Sequence, residues 1–171
     1  MLLHRWLPLL TASLLAACAT VSGPGSRLDL GDSDDDAAAA ALLRLLDAHG
    51  VPAEPGSDGA SLLVYRRGMA TRLDPVVQPD GLDRIISTRR YAPAPGRSES
   101  DLAALAGRLN DTLNVGVFGV EGGALVFQSQ LTFLDRVGAP ELLAFLDWLD
   151  TAELAIARVD LESGALLLSG G

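Results

Sequence analysis

The sequence predicts a two-layer α+β domain, a mostly antiparallel sheet of about five strands with helices on one side. Three observations carry this prediction. Leu102, Leu105, Ala106, Leu109 and Leu113 recur at helical spacing behind a capping pair, Ser98 and Asp101. From Val115 the period changes to two, and Glu121-Gly122-Gly123 supplies a tight turn between two apolar strands that end near Phe133. The remaining strands are joined by short connections, which suits antiparallel neighbours. The element order reads α-β-β-β-α-β-β-α.

The elements follow in chain order. Met1 to Arg5 is a short basic start, and Trp6 to Ala17 is an apolar segment of signal-peptide length, too short to span a bilayer. It ends in Leu15-Ala16-Ala17-Cys18, which resembles the lipobox of bacterial lipoproteins. The resemblance implies that residues 1–17 are a signal peptide cut before Cys18 and that the Cys18 thiol is acylated. Ala19 rather than Asp follows, which implies the outer membrane, on its periplasmic face, if the cell has two membranes. With one cysteine in the chain, a lipidated protein has no thiol left for a disulfide, a metal site or a nucleophile.

Residues 18–33 read as a flexible tether, 34–160 as the folded domain and 161–171 as a C-terminal tail. The spacing of Asp32, Asp34 and Asp36 resembles a calcium loop but lacks glycine at the sixth position and has Leu43 at the twelfth. These acids instead suit the positive end of a helix over about Asp34 to Ala48, with Leu42, Leu45 and Leu46 on one face. His49, the one histidine beyond the signal segment, reads as a partner of that helix's C-terminus rather than a catalyst.

Pro52 to Gly59 reads as a loop. Strands follow over Ser61–Arg67, Thr71–Gln78 and Leu82–Tyr91, with Pro79-Asp80-Gly81 as a turn. Pro75 points to an edge strand or a bulge. Pro140 suits the first turn of a last helix. Its stripe is Leu142, Phe145, Leu146, Leu149 and Ile156, with Asp147, Asp150 and Glu153 on a solvated side. Residues 165–168 form either a terminal strand or a frayed end.

Composition narrows the function classes. At 49% hydrophobic the chain can bury a core, which excludes global disorder. A net charge of −9 argues against nucleic-acid binding. Charge is unevenly spread: residues 61–97 hold seven Arg and three acids, whereas 98–171 hold three Arg and eleven acids. Either these charges pair within the fold, or Arg66, Arg67, Arg89 and Arg90 form a face for an anion or an acidic partner. Trp148 is a candidate anchor for a partner peptide in a groove beside the last helix, or else a core residue. No phosphate loop, G-x-S-x-G elbow, cofactor motif or metal motif is present.

The helix ending Leu-Leu-Asp-Ala-His-Gly-Val (45–51), the three-strand meander, Asp-Leu-Ala-Ala-Leu-Ala-Gly-Arg-Leu-Asn (101–110) before a hairpin, and Glu-Leu-Leu-Ala-Phe-Leu-Asp-Trp-Leu (141–149) together resemble the YbjN-domain proteins. That family is described as bacterial sensory transduction regulators. Its fold is similar to that of type III secretion chaperones, small acidic α+β proteins that bind other polypeptides. The likeness covers about residues 35 to 157 and implies no catalytic residues and no cofactor. This chain departs from the family in its lipoprotein-type signal. Together these readings imply a lipid-anchored, non-enzymatic protein-binding or regulatory domain of the cell envelope. Its partners would be the membrane, through Cys18, an envelope protein or peptide, and a second copy of itself. The alternatives are a small carboxylate-dependent envelope hydrolase and a purely structural lipoprotein.

Overall fold

The computed structural model describes residues 27–31 and 33–168. The signal segment, Cys18 and Asp32 lie outside the described residues. Strands β3 (Leu62–Arg66), β4 (Met69–Val76) and β5 (Asp83–Tyr91) form the expected meander, and β6 (Val117–Glu121) and β7 (Ala124–Phe133) form the expected hairpin. With β2 (Ala53–Pro55) they make a six-stranded antiparallel sheet in the order β2-β3-β4-β5-β7-β6. β1 (Arg27–Asp29) and β8 (Arg136–Gly138) pair as a separate antiparallel ribbon. Helices α1 (Asp35–Ala48), α2 (Glu99–Thr112) and α3 (Ala139–Glu162) complete the elements of the described residues.

Local chemistry explains the boundaries. Asp34 Oδ1 accepts from Ala37 N at 2.8 Å and starts α1. Ser98 and Asp101 form the capping box of α2: Asp101 N donates to Ser98 Oγ (3.2 Å) and Ser98 N to Asp101 Oδ2 (2.8 Å). Pro140 occupies the first turn of α3. The β6–β7 turn places Gly122 at φ +56° and Gly123 at +71°, conformations that glycine adopts without strain.

Period two sorts the sheet. Leu62, Val64, Leu73, Ile85, Leu125 and Phe127 are buried on the helix-covered face, with Leu42, Leu46, Leu102, Leu105, Leu109, Leu142 and Leu149 in the same core. The opposite face carries Arg72, Arg84, Thr88, Gln128, Gln130 and Thr132. Four details differ from the sequence reading. β1 lies within the stretch read as tether, because Leu28 and Leu30, two apart, are buried on the body. β2 lies within the stretch read as a loop; its three residues pair only along β3. β4 is an interior strand despite Pro75. β3 begins at Leu62, opposite Leu73, so Pro75 is paired only with Ile85 of β5 and removes no ladder bond on the other side. Finally, α3 runs to Glu162, past the expected domain end at 160, and the segment after it is pinned. Asp160 Oδ1 accepts from Leu166 N at 2.8 Å, and Leu168 N donates to Ala92 O at 2.9 Å.

Candidate functional site

The acids of α3 meet the arginines of the meander. On β5, Ile85, Ser87, Arg89 and Tyr91 share the inward face, so Arg89 is delivered to α3 with 2% of its side chain exposed. Its Nη2 lies 3.0 Å from Asp150 Oδ1, Nη1 donates to Leu149 O at 3.0 Å and to Glu153 Oε2 at 3.3 Å, and Nε donates to Thr71 Oγ1 at 2.8 Å. Arg66 Nε reaches Asp150 Oδ2 at 3.2 Å, and its Nη2 bonds Asp147. Arg67 Nε is 3.6 Å from the same Asp150 oxygen, a charge contact rather than a hydrogen bond. The Tyr91 hydroxyl donates to Glu153 Oε2 at 2.7 Å. Burial, reinforced by the Glu153 charge, pushes the Tyr91 phenol well above its ordinary value, so it stays a donor.

This geometry corrects two expectations. Asp147, Asp150 and Glu153 are not a solvated row: Asp150 is buried, and all three pair with arginines. Nor do Arg66, Arg67, Arg89 and Arg90 form one open cationic face. Arg89 is interior and Arg66 is mostly covered. Arg67 is exposed at a turn with φ +49°. Arg90 points to the other face of the sheet, where Nη1 meets Glu121 Oε2 at 3.0 Å. A signal for this existed in the sequence. Arg89 alternates with Ile85 and Tyr91, both core residues, and a buried guanidinium requires a carboxylate opposite it.

Trp148 is 39% exposed and stacks on Phe145 at a centroid distance of 6.1 Å, so it sits at the edge of the core. His49 is exposed at the C-cap of α1. Among the described residues no three His, Cys, Asp or Glu side chains are grouped to hold a metal ion, and no helix is long and apolar enough to cross a membrane.

A cleft of about 450 Å³ opens between the end of β5, the last turns of α3 and the pinned C-terminal segment. Met69, Tyr91, Ile156, Leu161, Leu167 and Leu168 supply its apolar wall. Leu161 and Leu168 at its rim, and Leu154 two turns before Leu161, are 70%, 53% and 68% exposed. The two acids that line it are committed: Glu153 to Arg89 and Tyr91, and Asp160 to the Leu166 and Leu167 amides.

The sheet edges are guarded. At the β6 edge, Asn110 of α2 imitates a neighbouring strand: its Nδ2 donates to Phe118 O and its Oδ1 accepts from Phe118 N, each at 2.9 Å. The β2 edge is three residues long and contains Pro55.

No family model matches this chain, and no curated protein matches it. A solved structure does: YbjN of E. coli, described as a candidate transcription regulator, superposes with a TM-score of 0.51 at 19% sequence identity. The alignment covers 75% of this chain and 94% of that one. The protein is therefore an α+β domain of YbjN-like fold.

Proposed function

We propose that this is a lipid-anchored, non-enzymatic domain of the bacterial cell envelope that binds another polypeptide or acts as a regulator through such binding. The observation that carries this reading is the α3 end of the molecule. Exposed Leu161 and Leu168 rim an apolar cleft, and exposed Leu154 lies two turns before Leu161 on the same helix. A YbjN-like fold supports a regulatory or binding role, and the lipobox-like leader that ends just before Cys18 supports attachment to the membrane. The acids that could serve hydrolysis are tied into structural ion pairs, and His49 is not among the residues lining the cleft. Strand addition is disfavoured at both edges of the six-stranded sheet by Asn110 and Pro55, which favours a partner on the helix side.

The test is crosslinking in intact cells, then affinity capture and mass spectrometry, with Cys18→Ser as the control. A discrete envelope protein enriched only with the anchored form is the expected result. Absence of any reproducible partner in either form contradicts the proposal.

A further inference from the structure

Strand β1 is built into the body rather than hung from it. Leu28 and Leu30 are 2% and 1% exposed, and Leu28 pairs with Val137 of β8. Only residues 19–26 separate Cys18 from Arg27. Nine Cα steps can span at most about 32 Å. β8 passes directly into α3, whose other end carries the cleft. Ala157, on the cleft wall, lies 19 residues after Gly138, about 28 Å along the helix axis. The sheet gives the same separation. β5 runs from Asp83, paired with Phe133 just before β8, to Tyr91 at the cleft, about 27 Å in strand geometry. The chain's entry point and the cleft are thus at opposite ends of the molecule.

We infer that the lipid surface is the partner of the β1–β8 end, the end the tether joins: exposed Arg27 and Arg44, beside Arg136 paired to Asp29 at 2.8 Å, face the headgroups and the cleft opens away from the bilayer. This rests on Cys18 being acylated, as proposed above. The anchor joins a strand that is hydrogen-bonded into the fold, so a tether of at most about 32 Å keeps the β1–β8 end, on average, nearer the lipid than the cleft. A polypeptide reaching the cleft therefore approaches from the aqueous side, about the length of the domain away from the membrane.

The full lipidated protein in phosphatidylethanolamine–phosphatidylglycerol vesicles tests this. With Cys18 acylated, an engineered cysteine is the one free thiol. Donor dyes at Arg44→Cys and, separately, Arg158→Cys are read against acceptor-labelled headgroups. Transfer is expected to be stronger from position 44 than from 158 at every acceptor density. Inserting about thirty Gly/Ser residues before Arg27, which adds a coil of about 30 Å, should remove that difference. Equal transfer in the parent protein, or stronger transfer from 158, overturns the orientation. Mass spectrometry of the same sample separates the two claims. An unmodified Cys18 overturns the anchoring and this inference together, whereas acylated Cys18 with equal transfer overturns the orientation alone.

Discussion

Replacing Arg89 with Leu leaves Asp150 buried with one strong partner fewer. Loss of one member of a buried pair costs about 3–5 kcal/mol, and here the lower end applies because Arg66 Nε remains 3.2 Å from the carboxylate. Replacing both members, Arg89→Met with Asp150→Leu, should recover part of that loss, since neither fully buried charge is then stranded, while Arg66 keeps Asp147 and Glu153 keeps the Tyr91 hydroxyl. Urea denaturation of the two variants checks the order. Asp58 gives a pH signature of the same kind. The Ser61 hydroxyl donates to its Oδ1 at 2.7 Å and Arg72 Nη2 to its Oδ2 at 2.6 Å, and together they hold the carboxyl down at about 2 from an ordinary 3.8. A depressed folded value contributes stability above pH 3.8 that is lost as the pH falls through about 2. Asp58→Asn should therefore be less stable than the parent at neutral pH, and the difference should vanish between pH 4 and 2 in acid titrations followed by circular dichroism. Arg67 offers a contrast. It holds φ +49° beside Gly68 at +78° in the β3–β4 turn. Arg67→Gly should relieve about 1 kcal/mol of left-handed strain, offset in part by losing the long contact to Asp150; thermal denaturation reads the net gain.

At the scale of elements, α2 and the β6–β7 hairpin are joined by two devices. Asn110 clasps the Phe118 backbone, so Asn110→Ala leaves an edge donor and acceptor open and should cost about 1–3 kcal/mol. Size-exclusion chromatography should also show more self-association, since the bared edge can pair with another copy. Gly116 has φ +153°, and a Cβ there would lie 2.2 Å from Gln128 O. Gly116→Ala should thus destabilise at least as much as Asn110→Ala, by forcing β6 off β7. These elements were legible in the sequence where a signal repeats. The α2 stripe from Leu102 to Leu109, its Ser98–Asp101 box and the Gly122-Gly123 turn each carry several mutually supporting residues. The short strands β1, β2 and β8 were not legible, because three residues cannot display a period. Pro52 and Pro55 also read more naturally as loop. The α3 acids were misread because Asp147, Asp150 and Glu153 show the same helical spacing whether they face water or a buried guanidinium. Only Arg89 on the opposite layer distinguishes the two cases, and that pairing is tertiary.

The whole molecule has a direction. Chain entry at Arg27 and the apolar cleft at Leu161 and Leu168 lie at opposite ends, joined by α3 and the long strands β5 and β7. The ion pairs from Asp147 to Glu153 clamp α3 along this axis, so a partner at the cleft meets a preformed wall rather than a loose helix. A partner that inserts an apolar side chain there buries Leu161 and Leu168 without disturbing the clamp. The most direct test of a partner-binding envelope domain places a photo-crosslinking amino acid at Leu161 in living cells, with Gln130 on the open sheet face as the comparison site. The account predicts a discrete adduct from position 161, none from 130, and loss of the adduct in Cys18→Ser. No adduct at 161, or the same adducts from both positions, would contradict it.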